Sequence, residues 1–296
     1  MPKLYDRVTR IQKPDWLKIR LHRTAEYAEV HRIVESHRLH TICGSGLCPN
    51  RAECWSRRTA TLMILGDICT RCCRFCATQT GRPAAPEAEE PARVAESVRL
   101  MQLKHVVLTS VTRDDLPDGG AAHWAATVEA VRRENPDATI EVLIPDLDAE
   151  PHLLDVVLAS KPDIVGHNIE TVERLTPEVR SRARYRTSLE TLRYVSASGA
   201  VAKSGMMVGL GESEAEVEQT LRDLREAGVS IVTIGQYLRP SLDHYPVAEY
   251  LAPERFEAYR RKALEMGFDY CASAPLVRSS YLAEEALQSV RKEADR

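Results

Sequence analysis

The sequence predicts an α/β fold in the form of an open, partial barrel. Six apolar segments typical of strands alternate with longer segments of helical periodicity, a pattern that is typical of parallel βαβ units with right-handed crossovers. Six units are fewer than the eight of a closed barrel, so a partial barrel is the first choice and a doubly wound sheet the second. The strand segments are 61–66, 105–109, 139–144, 163–167, 201–208 and 230–234.

The helical segments are predicted from apolar residues that recur every three to four positions. The first of them, 24–39, precedes the strands, and Thr24 is a candidate N-cap for it. The other helices are expected between or after the strands, at 92–103, 121–134, 149–160, 188–198, 214–227 and 254–266.

Composition narrows the classes of function. The 296 residues are 44% apolar, enough for a sizeable core, and their net charge of −3 disfavours nucleic acid as a partner. No apolar run is long enough to span a membrane, and the first residues lack the features of a signal or transit peptide, so we expect a cytoplasmic protein. Clustered cysteines in that reducing compartment indicate metal binding or catalysis rather than disulfides.

One cysteine triad follows the first predicted strand. Cys69, Cys73 and Cys76 have the spacing C-x3-C-x2-C, and Cys72 in the same loop stays unassigned. Thiolates are the standard ligands of iron–sulfur clusters, and three of them leave one iron of a four-iron cluster open to a small molecule. Barrel active sites lie at the C-terminal ends of strands, where this triad falls. Structural zinc is the alternative, although zinc prefers four ligands with paired C-x2-C spacing.

A second triad precedes the strands. Cys43, Cys48 and Cys54 have the spacing C-x4-C-x5-C, which again gives three ligands rather than four. A cluster here needs one more donor from elsewhere in the chain. Cys271 is the remaining cysteine, and we predict that it is a buried apolar residue and not a ligand.

Several motifs occur in an order that resembles the lipoyl synthases, a family of radical S-adenosylmethionine (SAM) enzymes. The resemblance covers roughly residues 14–285. Besides the two triads, it rests on PNRAEC at 49–54, LMILGDICTRCCRFC at 62–76, TSVTRDDLPDGGA at 109–121, HNIETV at 167–172, KSGMMVGLGE at 203–212, GQYLRPS at 235–241 and LVRSSY at 276–281.

The resemblance implies a partial (β/α)6 barrel of the radical SAM type with extensions over its mouth. The N-terminal extension is 1–58, the barrel is 59–270, and the tail is 271–296. The C-x3-C-x2-C motif holds one four-iron cluster, and the C-x4-C-x5-C motif holds an auxiliary one. The fourth auxiliary ligand is a serine of the RSSY motif, Ser280, with Ser279 as the fallback. Without the resemblance, these serines would be interpreted as an N-cap for a tail helix.

The same resemblance suggests a contact to SAM in the motif near 112–120, and polar residues at the ends of other strands are further candidates. Without the resemblance, the Asp- and Gly-rich sequence near 112–120 would be interpreted as an ordinary turn. A basic residue such as Lys203 would be interpreted as solvated, as exposed basic residues usually are. The predicted contacts are Thr109, Ser110, Arg113, Asp114, Asn168, Glu170 and Lys203.

The implied reaction is radical insertion of two sulfur atoms into carbons 6 and 8 of an octanoyl chain. A lysine of a lipoyl carrier domain, or of glycine cleavage H protein, carries the chain. An electron donor such as flavodoxin or ferredoxin drives reductive cleavage of SAM, and the sacrificed auxiliary cluster supplies sulfur. An unactivated methylene has no proton that a general base could remove near pH 7, so a radical is required. The alternatives are another two-cluster radical SAM enzyme, such as a methylthiotransferase, and a non-catalytic iron–sulfur protein.

Overall fold

The computed structural model describes residues 12–19, 24–281 and 283–294. An eight-stranded sheet forms its centre, and after an antiparallel first pair all its strands run parallel in chain order. Two further short strands, β3 and β4, pair with each other outside it. In chain order the strands are β1 His40–Thr41, β2 Thr61–Ile64, β3 Ile68–Cys69, β4 Gln79–Thr80, β5 His105–Ser110, β6 Thr139–Leu143, β7 Ile164–Gly166, β8 Val201–Val208, β9 Ile231–Gln236 and β10 Tyr270–Ala274.

Helices connect consecutive parallel strands, as βαβ units require. Short 3-10 turns at Asp15–Leu17, Leu147–Ala149 and Glu173–Leu175 complete the regular structure. The helices are α1 Ala25–Ser36, α2 Ile42–Ser45, α3 Arg51–Ser56, α4 Glu90–Met101, α5 Ala121–Glu134, α6 Pro151–Ala159, α7 Thr176–Val179, α8 Tyr185–Ala197, α9 Glu214–Glu226, α10 Pro253–Glu265 and α11 Ala283–Ala294.

The strand order confirms the first-choice fold. All six predicted strands are present in one sheet, and their order follows the chain without the reversal that defines a doubly wound sheet. Within the described residues no pairing joins β10 to β1 or β2, as expected for a partial barrel. The seventh parallel strand, β10, was not predicted. The expected boundary between 270 and 271 falls inside it, and the three-part division of the chain stays a prediction.

The N-terminal segment and the tail meet at the mouth, by which we mean the C-terminal ends of the parallel strands. The side chain of Asn50 donates to the carbonyl of Leu276 at 2.7 Å. The hydroxyl of Tyr281 donates to Glu53 at 3.0 Å. These two bonds hold α3 and its flanking loop against the residues that follow β10.

The extensions also pack away from the mouth. Thr24 caps α1 as predicted, because its hydroxyl accepts from the backbone N–H of Tyr27 at 3.3 Å. At the opposite end of the sheet, Leu287 of α11 packs with Ile164 and Ile231, the first residues of β7 and β9. Among the described residues, none of the helices combines the length and the apolar composition needed to cross a bilayer.

Candidate active site

A cavity of about 340 Å³ opens at the mouth. The C-x3-C-x2-C loop lines one side, and the N-terminal loop and the tail line another. The strand ends supply its polar floor. Its lining includes Cys69, Cys73, Cys76, Ser110, Asn168, Glu170, Arg180, Leu47, Pro49 and Ser279.

The loop that carries the first triad is fastened at its base. The short strands β3 and β4 pair Cys69 with Thr80 and so bring the two ends of the loop together. The sulfur of Cys69 accepts from the backbone N–H groups of Arg71, at 3.4 Å, and Thr112, at 3.3 Å. Such N–H groups stabilise negative charge on a ligating sulfur. Burial raises the pKa of the Cys76 thiol, so metal binding must displace a proton from it.

Arg71 clamps this loop to two strand ends. Its guanidinium donates two bonds to Asp146, both at 2.8 Å, and two to Asp114, at 2.9 and 2.8 Å. Only 6% of its side chain is exposed. Burial lowers the pKa of Arg71, but the two carboxylates outweigh it and raise the pKa. Burial likewise raises the pKa of Asp146, yet Arg71 and neighbouring cations bring it to about 2. Arg71 and Asp146 are therefore both ionised at neutral pH.

Buried polar groups form the cavity floor. Arg180 donates to the hydroxyl of Ser188 at 2.8 Å, but its Nε is buried and has no partner in the described residues. The hydroxyl of Ser110 is also buried and has no hydrogen-bond partner among the described residues. Burial raises the pKa of Glu170, which the charge of Arg180 partly opposes. Burial and the charge of Arg180 lower the pKa of His167 to about 4, so this imidazole is neutral near pH 7.

These features fit a polar cofactor. Unpartnered buried polar atoms are rare because each costs free energy, and a ligand that supplies partners removes that cost. SAM carries an amine, a carboxylate and ribose hydroxyls, which match the donors and acceptors of the floor. The cavity therefore suits it in chemistry.

The second triad is held by short helices on the N-terminal side. Cys43 lies in α2, which Thr41 caps by accepting from the N–H of Gly44 at 3.2 Å. Burial raises the pKa of the Cys48 thiol, and the neighbouring Cys43 adds to the rise. Burial, Cys43 and Cys48 raise the pKa of Cys54 to about 12. The pKa values of Cys48 and Cys54 thus both respond to the charge of other cysteines in the triad.

The tail approaches the same triad. Arg278 is half-buried; desolvation lowers its pKa, and its charge opposes the rise in the pKa of Cys48. Burial and Glu53 raise the pKa of Tyr281, with a smaller contribution from Cys54. The two serines lie between Arg278 and Tyr281 in the chain. Ser279 lines the cavity, whereas Ser280 is half-buried outside the lining.

The N-cap interpretation of the serines is not supported by the position of the tail helix. The helix α11 begins at Ala283, so its N-cap position is residue 282, and neither serine occupies it. Residue 282 itself lies outside the described residues.

The structure brings together four of the seven predicted SAM contacts. Thr109, Ser110, Asn168 and Glu170 line the cavity beside the first triad. Their roles stay predictions.

The other three predicted SAM contacts lie outside the cavity lining and are paired elsewhere. Arg113 is bonded to Asp115 at 2.9 Å by two of its nitrogens. Asp114 is bonded to Arg71. Lys203 is buried and donates to both oxygens of Glu141, at 2.7 and 2.9 Å.

Three functional candidates were missed from the sequence. Arg71, Asp146 and Arg180 come from separate loops, and single arginines or aspartates carry no signal on their own. The run RSRARYR at 180–186, with four arginines in seven positions, is the one local feature that marks this region.

The thiol geometry bears on the zinc alternative. No three His, Cys, Asp or Glu side chains in the described ranges are placed to hold a single metal ion. Ligands of a four-iron cluster bind different irons and therefore stand farther apart than ligands of one ion. A structural zinc site would bring four such ligands to one ion.

Comparison with known proteins identifies the family. The model of the radical SAM superfamily matches residues 63–224. A lipoyl synthase of Bacteroides fragilis (strain YCH46) is 57% identical over 94% of this chain and 97% of its own length. One from Parabacteroides distasonis is 57% identical over 93% of this chain and 98% of its own length. This chain belongs to the lipoyl synthase family. It is accordingly a radical SAM enzyme and a sulfurtransferase, and it uses SAM and four-iron clusters.

Two solved structures agree with the fold. Methylornithine synthase superposes with a TM-score of 0.56 at 14% identity, over 71% of this chain and 70% of that one. A maturase of the [FeFe]-hydrogenase superposes with a TM-score of 0.53 at 13% identity, over 89% of this chain and 74% of that one. At these identities the likeness concerns the fold alone. Membership of the lipoyl synthase family sets aside the methylthiotransferase and non-catalytic alternatives.

Proposed function

We propose that the enzyme inserts two sulfur atoms into carbons 6 and 8 of an octanoyl chain, at a site shared by two clusters in one cavity. One observation carries the proposal. The first triad lines the cavity, and Leu47 and Pro49, which flank Cys48 of the second triad, line the same cavity. A substrate carbon in this space lies between a radical source and a sulfur source. When bound, SAM and the clusters supply a carbon radical that removes hydrogen and a sulfide that replaces it.

Cys69, Cys73 and Cys76 are the proposed ligands of the radical-generating cluster. Their three thiolates leave one iron open, where the amine and carboxylate of SAM bind. Four residues of the floor orient the cofactor, and among the described residues the buried hydroxyl of Ser110 has no partner: these four are Thr109, Ser110, Asn168 and Glu170.

Three residues outside the cavity lining support the site indirectly: Arg113, Asp114 and Lys203. Asp114 acts through Arg71, which in turn orients the N–H that points at Cys69. Arg113 donates to the carbonyl of Leu65 at 3.4 Å and so joins the loop after β5 to the end of β2. Lys203 compensates the buried carboxylate of Glu141.

Cys43, Cys48, Cys54 and Ser280 are the proposed ligands of the auxiliary cluster. Arg278 and Tyr281 interact electrostatically with Cys48 and Cys54, which supports a tail serine as the fourth donor. A serine oxygen is a harder donor than thiolate, so the iron that it holds is the one most readily given up. This suits a cluster that is consumed to provide sulfur.

The carrier and the reductant are proposed from the reaction. An octanoylated lipoyl carrier domain or glycine cleavage H protein presents the acyl chain, and a flavodoxin or ferredoxin supplies electrons. We place the enzyme in the cytoplasm, where its eight free cysteines stay reduced.

Isotopic labelling tests the sacrificial role. Both clusters are rebuilt with labelled sulfide, and an octanoylated carrier peptide is converted in a single turnover with SAM and dithionite. We expect labelled sulfur at both positions of the product. The control is enzyme rebuilt with unlabelled sulfide in a labelled buffer, which should give unlabelled product. Unlabelled product from fully labelled enzyme would reject the proposal.

A further inference from the structure

Four arginines stand within seven residues at the start of α8. Arg180 faces the cavity, whereas Arg182, Arg184 and Arg186 are exposed on the outside of the molecule. The whole chain has a net charge of −3, so this concentration of positive charge is local. The catalytic roles proposed above use none of the three exposed arginines.

The helix itself adds to the positive potential. Its 13 residues begin at Tyr185 without an acidic residue in the first turn and without a side-chain cap. The free N–H groups of a helix N-terminus carry partial positive charge, and cations beside them lower helix stability. Arg184 is the N-cap residue and Arg186 lies in the first turn, so helix stability does not account for positive charge at these two positions.

Nearby carboxylates neutralise part of this charge. Arg182 pairs with Asp148 at 3.1 Å and with Asp114 at 3.6 Å. Arg186 pairs with Glu173 at 2.8 Å. Arg184 makes no ion pair within 4 Å among the residues that the structure describes, so its charge is open to a partner.

The same segment touches the radical-site loop from outside. The hydroxyl of Ser181 accepts from the backbone N–H of Cys72 at 3.1 Å and lies 3.9 Å from the sulfur of Cys73. Both Ser181 and Cys72 are exposed, and neither lines the cavity. An exposed hydroxyl thus stands one contact away from a sulfur that we assign to the radical cluster.

We propose that this basic surface, formed by Cys72, Ser181, Arg182, Arg184 and Arg186, is where an acidic one-electron carrier protein docks. The inference rests on the proposed function, because it takes Cys73 as a ligand of the radical cluster. On docking, the reduced carrier loses one electron and the cluster gains it, and no bond is made or broken. Opposite charges steer such encounters and raise their rate.

The acyl carrier is the less suitable partner for this surface. Its octanoyl chain must enter the cavity, whereas Cys72, Ser181 and the three exposed arginines lie outside the cavity lining. An electron needs only proximity to the cluster, and it does not need an open channel.

Charge reversal at one arginine tests the docking surface. Arg184→Glu removes the open charge, and a carboxylate at a helix N-terminus does not weaken α8. The matched control is Arg193→Glu, an exposed position on the same helix with the same change in charge. An acidic flavodoxin is the probe, with the reconstituted holoenzyme. Two quantities are measured, the Kd of the complex and the rate of flavin oxidation on mixing.

We expect Arg184→Glu to weaken binding and slow electron transfer about 10-fold at low salt, with the difference shrinking as ionic strength rises. Arg193→Glu should match the wild type. Reduction by dithionite should be equal in all three proteins, which separates this test from the proposed function. Equal effects of both variants would overturn the docking surface. So would a higher KM for the octanoylated carrier with unchanged electron transfer, since the surface would then bind the acyl carrier.

Discussion

At the scale of single residues, the two tail serines, Ser279 and Ser280, differ in their surroundings. Ser279 lines the cavity, whereas Ser280 lies outside its lining, next to Tyr281, which is bonded to Glu53 beside Cys54. We therefore expect Ser280→Ala to lower iron and sulfide at the auxiliary site and to lower the yield of sulfur-bearing product, because one iron loses its protein ligand. Ser279→Ala is the matched control and should retain both clusters. Iron analysis and product mass spectrometry measure both effects. Loss of auxiliary iron in Ser279→Ala but not in Ser280→Ala would make Ser279 the ligand.

Arg71 is a positioning residue for the radical site. A lysine ammonium cannot serve two carboxylates in bidentate geometry, so Arg71→Lys should leave Asp114 and Asp146 partly unpaired. We expect a loss of about 2–4 kcal/mol in unfolding free energy, measured by denaturation of the apoprotein. The EPR spectrum of the reduced radical cluster should broaden, because the N–H at Cys69 is no longer fixed. Arg182→Lys, at an exposed arginine that also pairs with Asp114, is the control. A wild-type spectrum in Arg71→Lys would contradict the assignment.

The position of a residue along its strand explains why one predicted SAM contact, Lys203, lies outside the cavity lining. Lys203 is the third residue of β8, and the mouth lies at the far end of that strand, roughly 17 Å away at about 3.3 Å per residue. Its motif was identified correctly, but one strand does not reveal how deep each residue lies. Arg180 and Arg71 depend on contacts between distant loops, which no local pattern encodes.

At the scale of elements, periodicity predicted most of the barrel. The helices at 121–134 and 214–227 were expected almost to the residue, because strongly amphipathic segments carry a clear signal. Strand β10 was missed because YCASA is short and lacks the β-branched residues typical of strands. Its place in the sheet is set by pairing with β9, a tertiary effect.

The junction between β9 and the tail offers a test of how the auxiliary site is positioned. A Cβ at Gly235 would stand 2.1 Å from the carbonyl oxygen of Val277, closer than any real contact. Gly235→Ala should therefore displace the tail and with it Ser280. We expect loss of auxiliary iron with the radical cluster retained, measured by Mössbauer spectroscopy. At Gly166, near the end of β7, a Cβ would meet its neighbours at ordinary distances of 3.4 Å or more. Gly166→Ala should keep both clusters, and auxiliary iron that survives in Gly235→Ala would refute the coupling.

At the scale of the whole molecule, one cysteine triad lines the cavity, and the residues on either side of Cys48 bring the second triad next to it. The first belongs to a loop of the barrel, and the second belongs to the N-terminal segment that the tail fastens through Asn50 and Tyr281. Since different elements build the two sites, each should form without the other. The triads should then divide the reaction into radical generation and sulfur supply.

Two triple variants test that division. Replacing Cys43, Cys48 and Cys54 by alanine should leave about half of the iron and a protein that still forms 5′-deoxyadenosine from SAM, but no sulfur-bearing product. Replacing Cys69, Cys73 and Cys76 should also leave about half of the iron but abolish SAM cleavage.

The control for thiol loss is the pair Cys72→Ala and Cys271→Ala, at an exposed and a buried cysteine outside both triads, which should keep full iron content. SAM cleavage that persists without Cys69, Cys73 and Cys76 would show that the radical site lies elsewhere. Loss of a cluster in Cys72→Ala would show that this thiol belongs to the ligand set. Because iron content and 5′-deoxyadenosine are measured separately, a folding defect and a loss of chemistry give different results.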